Sequence, residues 1–238
     1  MTGVDERKAS ARAGRLVRVR DTRPGARALA AVLMPIGPAM AAVVRFFAQD
    51  DAHVGERLAS DPASQAWLAV PGWIILFTLV PGVYAALRLT RRRSPVLTLW
   101  TGALLVPAYL GMTALGAVDA AAYAGLAIGL PPQTASALAT AAFGAPTVAL
   151  PVLVFVVGHI TGTVLLGVLV VRARLLPVGW GVAIALSQPV HLVATILGLP
   201  WLDLIGWGTT AAGMAALARV ALRTPDDEWD LPPLPPTR

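Results

Sequence analysis

The sequence predicts an all-α membrane protein, a bundle of six transmembrane helices with both termini in the cytoplasm. Three observations predict this fold class. Hydrophobic residues make up 56% of the 238 residues and charged residues only 13%, and the mean hydropathy is +0.69. The apolar residues are gathered into runs of about 20 or more, the number of helical residues needed to cross the hydrocarbon core of a bilayer. The segments that connect these runs are alternately rich and poor in lysine and arginine.

Six apolar runs are long enough to be transmembrane helices. Helix is expected because lipid cannot hydrogen-bond an exposed backbone, and none of the runs alternates with the period of two of a barrel strand. Pro35, Gly37 and Pro38 interrupt the first run, which is retained because the charges on its two sides require a crossing there. The predicted spans cover residues 28–47, 66–87, 96–118, 145–171, 177–199 and 202–222.

The distribution of basic residues predicts the orientation. Seventeen of the nineteen lysines and arginines are on one side: sixteen lie before the first span, between the second and third, between the fourth and fifth, or after the sixth, and Arg219 lies near the inner end of the sixth span. The opposite side has only Arg45 and Arg57 among six acidic residues. Cytoplasmic loops of membrane proteins are enriched in lysine and arginine. The chain is therefore expected to span a membrane with both of its ends in the cytoplasm.

The two terminal segments differ in composition from the predicted transmembrane domain, residues 28–222. Residues 1–27 are basic, and we expect a disordered cytoplasmic arm that lies against anionic lipid headgroups. Nucleic acid is not an expected partner, because no aromatic residues are interleaved with the basic ones and no folded binding motif is present. Residues 223–238 form a proline-rich tail that is expected to be disordered, with a proline-rich ligand for a partner domain as the alternative.

The outer segment 119–144 has two interpretations. Asp119 is expected to begin a short helix that runs to Ile128, and a second short helix is expected from Gln133 to Phe143, after the Pro131-Pro132 pair. Both would lie on the outer face. The alternative is a re-entrant pair that lines a cavity.

Two histidines within the predicted spans are the first place to look for chemistry, because burying an ionisable group in lipid is expensive. His159 lies thirteen residues before Arg172, roughly 20 Å at the helical rise of 1.5 Å per residue. His191 lies fourteen residues after Pro177, roughly 21 Å by the same rise. The loop between their helices is short enough to require an antiparallel hairpin. The two imidazoles are therefore expected at the same depth on neighbouring helices.

Polar and small residues surround these histidines at helical spacing. Serine, threonine and glutamine side chains on the two helices would form a polar patch, and a pair of glycines four residues apart would let a neighbouring helix approach closely. The candidate ligand or proton site consists of His159, Thr163, Ser187, Gln188, His191 and Thr195, with Gly158 and Gly162 as helix-packing residues.

Three hypotheses account for the polar patch. The first is an interhelical hydrogen-bond cluster, with each contact stabilising by about 0.6 kcal/mol. The second is a pathway for a ligand, an ion or a proton. The third is a b-type haem with His159 and His191 as axial ligands, or another metal site. The expected close helix approach at Gly158 and Gly162 argues against a haem. No other metal or cofactor is expected, and the absence of cysteine excludes thiolate sites.

Two further charged residues near the spans receive structural interpretations. Asp203 follows a Gly198-Leu199-Pro200 turn and is expected to favour the N-terminus of the sixth helix. Arg45 is expected to extend outward and to pair with Asp50 or Asp51.

Residues 158–192, GHITGTVLLGVLVVRARLLPVGWGVAIALSQPVHL, carry a resemblance. A glycine-histidine helix, an arginine-flanked turn followed by leucine-proline, and a proline-then-histidine helix resemble a segment of uncharacterised small polytopic membrane proteins of high-GC bacteria, a family of the domain-of-unknown-function type. The resemblance covers about a seventh of the chain. It implies a plasma-membrane protein of several helices with no assigned activity, and it transfers no catalytic residue.

The expected function is that of a binding, regulatory or accessory component of the membrane. Membrane lipids and a protein partner or a second copy of the chain are the expected partners. The sequence has no HExxH, GxSxG or phosphate-binding loop, which disfavours an enzyme. The main alternative is a small-solute, ion or proton transporter that uses His159 and His191, and a haem-binding redox subunit is the second alternative.

Overall fold

Helices account for all the regular structure in the part of the chain that the computed structural model describes, residues 21–47 and 53–231. We number the α-helices in chain order. They are α1 (Arg23–Phe47), α2 (Val54–Ser60), α3 (Ser64–Thr90), α4 (Pro95–Gly111), α5 (Leu115–Ala127), α6 (Pro132–Gly144), α7 (Pro146–Arg172), α8 (Val178–Leu197), α9 (Pro200–Arg223) and α10 (Asp226–Trp229). A 3₁₀ turn, Met112–Ala114, joins α4 to α5. The predicted all-α class is confirmed.

Five helical stretches of the described chain are long and apolar enough to cross a membrane. These are α1, residues 67–90 of α3, the continuous stretch 95–127, α7 and α8. The chain therefore has the helices of a multi-pass membrane protein. Helix α9 lies where the sixth span is predicted but is not one of the five, because Arg219 and several glycines and threonines lower its hydropathy.

The six long helices pack in a closed ring. Each contacts two neighbours, in the order α1, α3, α4, α7, α8, α9 and back to α1. Inside the ring, Met34, Leu105, Leu169 and Leu217 have no exposed surface. The outward faces carry large exposed apolar side chains, including the 65% exposed Phe77. Apolar surface on both the inside and the outside of a bundle is the pattern expected of helices surrounded by lipid.

Helices α2, α5 and α6 form a separate layer with a small core of their own, made of Val54, Leu58, Ala122 and Ala139. Helix α5 begins at Leu115, so Asp119 lies within it and does not begin a helix as predicted. The reason is that no proline lies between Pro107 and Pro131, so nothing prevents the helix from beginning before Asp119. Asp119 instead lies 3.6 Å from the guanidinium of Arg57.

The chain after α9 folds back against the start of α1. We call residues 225–231 the C-terminal strap. Asp227 lies 2.5 Å from Arg23, Asp230 forms an ion pair with Arg88, and the Trp229 side chain is 2% exposed. The predicted disordered tail is therefore wrong for residues 225–231, because acidic and aromatic side chains find arginine partners there. The basic arm up to residue 20 and the prolines from residue 232 lie outside the described residues.

Candidate functional site

An ionic network links three helices inside the ring. It consists of Arg45 on α1, His191 on α8 and Asp203 on α9. The Asp203 carboxylate has no exposed surface; its Oδ2 lies 3.0 Å from Nε of Arg45, and its Oδ1 accepts a hydrogen bond from Nδ1 of His191. The Arg45 side chain is 23% exposed, so the network extends from the interior toward the bundle surface.

The turn between α8 and α9 positions this network. Gly198 adopts a left-handed conformation, with φ of 63°, and Pro200 begins α9 two residues later. His191 consequently lies near the end of α8 and Asp203 in the first turn of α9. The sequence correctly predicts Asp203 at a helix N-terminus but does not predict its two partners. The partners predicted for Arg45, Asp50 and Asp51, lie outside the described residues.

The hydrogen-bond partners define the protons on both imidazoles. An ionised carboxylate paired with a guanidinium can only accept, so Nδ1 of His191 carries the hydrogen. Nδ1 of His159 lies 2.7 Å from the carbonyl oxygen of Phe155, which also only accepts. In both neutral rings Nε2 is therefore the atom that can take up a further proton.

An aromatic cluster lies directly beneath the ionic network. We define it as Phe155, His159 and Trp207. The His159 ring stacks on Phe155 at a centroid distance of 4.3 Å, and Trp207 is parallel to it at 6.1 Å. His191 connects the two groups, with centroid distances of 5.6 Å to His159 and 5.4 Å to Trp207. The structure thus brings the two histidines together as the sequence predicts.

Several buried polar atoms of this region have no hydrogen-bond partner among the described residues. They are Nε2 of His159, Nε1 of Trp207 and Oε1 of Gln188. Each such atom costs about 1–3 kcal/mol when it is left unsatisfied. Nε1 of Trp207 is a donor and Nε2 of His159 an acceptor, so a water molecule or a small polar ligand could satisfy both.

A third group, the hydroxyl–amide network, lies about one helical turn before His191 on α8. Nε2 of Gln188 donates to the Thr210 hydroxyl at 2.8 Å, the Thr210 hydroxyl donates to that of Ser187 at 2.8 Å, and Ser187 donates to the carbonyl of Ile184. These bonds join α8 to α9. The sequence predicts Ser187 and Gln188 as site residues but misses Thr210.

The other predicted residues lie outside the aromatic cluster and the hydroxyl–amide network. Thr163 is buried on α7, whereas Thr195 is exposed at the edge of the ionic network, 3.4 Å from Nη2 of Arg45. Gly158 and Gly162 do permit close helix approach, but toward α4: a Cβ at Gly158 would lie 2.8 Å from the carbonyl oxygen of Leu104. The glycine pair thus lets α7, which carries His159, pack closely against α4, and it does not join α7 to α8.

Sequence reasoning misses one glycine at the site itself. A Cβ at Gly206 would lie 2.9 Å from the carbonyl oxygen of Ser187 and 3.0 Å from the backbone nitrogen of His191. Asp203, Gly206, Trp207 and Thr210 share one face of α9, with spacings of three and four residues. That spacing is a signal from which the face of α9 toward α8 could have been found.

The site can also be compared with what a metal or haem requires. In the described ranges, 21–47 and 53–231, no group of three histidines and carboxylates is arranged to hold a metal ion. A haem between His159 and His191 would have to displace the Trp207 indole, which contacts both rings. The haem hypothesis stays a prediction.

Comparisons with protein-family models, with curated proteins and with solved structures give no match for this chain. The resemblance of residues 158–192 to small polytopic proteins of high-GC bacteria therefore also stays a prediction.

Proposed function

We propose that the chain crosses a bacterial plasma membrane six times, with α9 as the sixth crossing and both termini in the cytoplasm. The ion pair of Arg23 with Asp227 supports this, since it joins the start of α1 to the segment after α9. Two chain ends at one end of the bundle require an even number of crossings. Helix α9 has 24 residues, roughly 36 Å at the helical rise, which is enough to cross.

We propose further that the protein is a proton-responsive binding or regulatory component of this membrane. The observation that carries the proposal is a carboxylate with no exposed surface that holds a guanidinium on one oxygen and an imidazole on the other. Ionisable groups buried inside a helical bundle are expensive, which makes them candidates for a functional role. Histidine is the side chain whose charge changes most readily near neutral pH.

Protonation of this network would change the charge balance between three helices. With His191 neutral, Arg45 and Asp203 compensate each other. Uptake of a proton at Nε2 of His191 leaves one carboxylate shared between two cations, and the imidazolium also faces His159 on α7. The charged groups that face His191 are thus Arg45 from α1, His159 from α7 and Asp203 from α9. Such a change favours a different packing of α1, α8 and α9, which a bound ligand or partner can sense.

A histidine titration tests this proposal. The chain has only three histidines, so protein labelled with ¹⁵N at histidine gives three resolvable imidazoles. We expect Asp203→Asn, which removes the carboxylate charge, to change the pH dependence of the His191 signals relative to that of the wild type. Asp61→Asn is the control. It removes an exposed carboxylate between α2 and α3, outside the ionic network, and should leave the His191 signals unchanged. Identical His191 curves in the wild type and Asp203→Asn would overturn the proposal.

Proton-coupled transport of a small polar solute is the second candidate. It is favoured by the partnerless Nε2 of His159 and Nε1 of Trp207, a buried acceptor and donor adjacent to the ionic network. In proteoliposomes with an internal pH-sensitive dye, a transporter would dissipate an imposed pH gradient faster than empty vesicles, and Asp203→Asn would abolish the difference. A titrating His191 without any flux favours the regulatory function over transport.

A further inference from the structure

A basic pocket lies at the end of the ring where the C-terminal strap docks, far along the helices from the ionic network. It has a volume of about 360 Å³ and opens between the α3–α4 turn, the α7–α8 turn and the end of α9. Its charged lining consists of Arg88, Arg92, Arg93, Arg174 and Glu228. Four guanidiniums therefore face one carboxylate. The volume falls within the range of about 300–1,000 Å³ that is usual for small-ligand sites.

Most of this positive charge is not neutralised by the protein. Arg88 pairs with Asp230. Nη1 of Arg92 and Nη1 of Arg93 each donate at 3.0 Å, but to the carbonyl oxygens of Asp227 and Ala173, which orient a guanidinium without compensating its charge.

Arg174 extends the same pattern. It is exposed on the α7–α8 turn and has neither a hydrogen bond nor an ion pair with any side chain in the described part of the protein. The strap supplies one carboxylate to the pocket, that of Glu228, which faces the three guanidiniums that Asp230 does not pair with. Asp226 and Asp227 are paired with Arg27 and Arg23 instead. The pocket therefore contains guanidiniums that are held in place but have no ion pair, and an anion could bind to them.

We propose that this pocket binds the phosphate group of an anionic phospholipid. The planar guanidinium fork matches a phosphate oxygen pair, which makes arginine the preferred residue for such recognition. Leu175 and Val220 add an apolar wall beside the arginines, as the glycerol and acyl portions of a lipid require. The lining residues come from the ends of α3, α7 and α9, where these helices reach the level of the headgroups. Basic pockets between transmembrane helices bind headgroups in this way.

The proposal is tested with full-length protein in detergent, by native mass spectrometry with equal amounts of phosphatidylglycerol and phosphatidylcholine. We expect the wild type to retain phosphatidylglycerol preferentially. Arg93→Gln/Arg174→Gln should weaken that retention about tenfold. Arg219→Gln/Arg223→Gln is the matched control, since it removes two guanidiniums from the same end of the bundle but outside the pocket. It should behave like the wild type.

A second variant guards against a folding defect. Arg174 has a φ of 53°, a conformation that glycine adopts more readily than an L side chain, so Arg174→Gly removes the guanidinium without straining the turn. It should also lose retention of phosphatidylglycerol. Titration with inorganic phosphate alone distinguishes the two sources of the ligand. If the wild type binds phosphate but retains both lipids equally, the pocket is a site for free phosphate. Equal retention of both lipids without phosphate binding, or equal losses in the pocket and control pairs, would overturn the proposal.

Discussion

Asp203 lies inside the helical bundle with no exposed surface, and a carboxylate in that position is stable only when donors or cations compensate its charge. Arg45 and His191 share this role, one on each carboxylate oxygen. The partnership is unequal, because the guanidinium always carries its charge whereas the imidazole gains or loses its own. Arg45 consequently supplies a permanent positive charge to the carboxylate, whereas the imidazole of His191 can supply either a neutral donor or a second positive charge.

A double-mutant cycle on Arg45 and Asp203 measures this interaction. Asp203→Asn should lower the free energy of unfolding by about 2–4 kcal/mol, because it leaves the guanidinium partly buried without its counter-ion. Arg45→Gln/Asp203→Asn should be less destabilised than the sum of the single changes, with a coupling energy of about 1–3 kcal/mol. Unfolding by sodium dodecyl sulfate in mixed micelles provides the measurement.

The outer layer offers a matched control for this cycle. Arg57 and Asp119 lie 3.6 Å apart, but the Asp119 side chain is 44% exposed. Exposed pairs are weakly coupled, and we expect less than about 1 kcal/mol between Arg57→Gln and Asp119→Asn. Coupling at Arg45 and Asp203 no larger than this would mean that the ionic network does not hold α1 to α9.

At the scale of elements, the α8–α9 hairpin determines which side chains meet. A two-residue connection forces the helices to run antiparallel and in contact, so residues at similar distances from Gly198 lie opposite one another. This register places Asp203 and Trp207 beside His191, and Thr210 beside Ser187 and Gln188. The close approach depends on Gly206, since a side chain there would meet the backbone of α8.

Substituting two glycines of α9 with alanine should have opposite effects. The Cβ of Gly206→Ala would press against backbone atoms of Ser187 and His191, and we expect a loss of about 1–3 kcal/mol in unfolding free energy. A Cβ at Gly208 meets nothing within 4 Å. Gly208→Ala should therefore stabilise the helix by up to about 1 kcal/mol through helix propensity. The same unfolding assay compares both variants, and an equal loss at the two positions would contradict the packing role of Gly206.

The C-terminal strap is a second element whose attachment depends on charge. The pKa of Asp230 lies below its usual value, chiefly because the side chain of Arg88 donates a hydrogen bond to the carboxylate, with smaller contributions from the backbone N–H of Leu231 and from Arg91. A carboxyl whose pKa is lowered by folding stabilises the folded state at neutral pH. That contribution is lost as the pH falls through the lowered pKa.

Acidification should therefore release the strap. We expect backbone amides of residues 226–231 to exchange with deuterium faster at about pH 3 than at about pH 7, after correction for the intrinsic exchange rate. Asp230→Asn should give fast exchange already at neutral pH. Glu228→Gln is the control, because Glu228 forms no ion pair with any described side chain. A strap equally protected in Asp230→Asn and the wild type would show that the ion pair of Arg88 with Asp230 does not hold it.

The sequence predicts helices and their neighbours better than it predicts their polar contacts. Long apolar runs and short loops are local properties, and they correctly indicate the hairpin that brings His159 and His191 together. The role of Asp203 depends on Arg45, 158 residues away in the chain, and only the closing of the ring reveals it. Gly158 and Gly162 illustrate the same limit, since their spacing predicts a close helix contact but not that α4 makes it.

At the scale of the whole molecule, closure of the ring constrains the number of membrane crossings. Helix α1 packs against α9 along its length, and the strap joins the end of α9 to the start of α1. A bundle in which α9 remained outside the membrane would leave Arg45 of α1 and His191 of α8 facing lipid without the carboxylate of Asp203. The lower hydropathy of α9 is compatible with a crossing because its one buried carboxylate is compensated by Arg45 and His191.

Cysteine labelling in intact cells distinguishes six crossings from five. The chain contains no cysteine, so a single introduced thiol gives a signal without background. Ser60 and Leu231 are both exposed and lie at opposite ends of the ring in the proposed topology. With six crossings and a cytoplasmic N-terminus, a membrane-impermeant maleimide should label Ser60→Cys in intact cells and Leu231→Cys only after permeabilisation. Five crossings would expose both thiols outside. Labelling of Leu231→Cys in intact cells would therefore show that α9, and with it Asp203, does not cross the membrane.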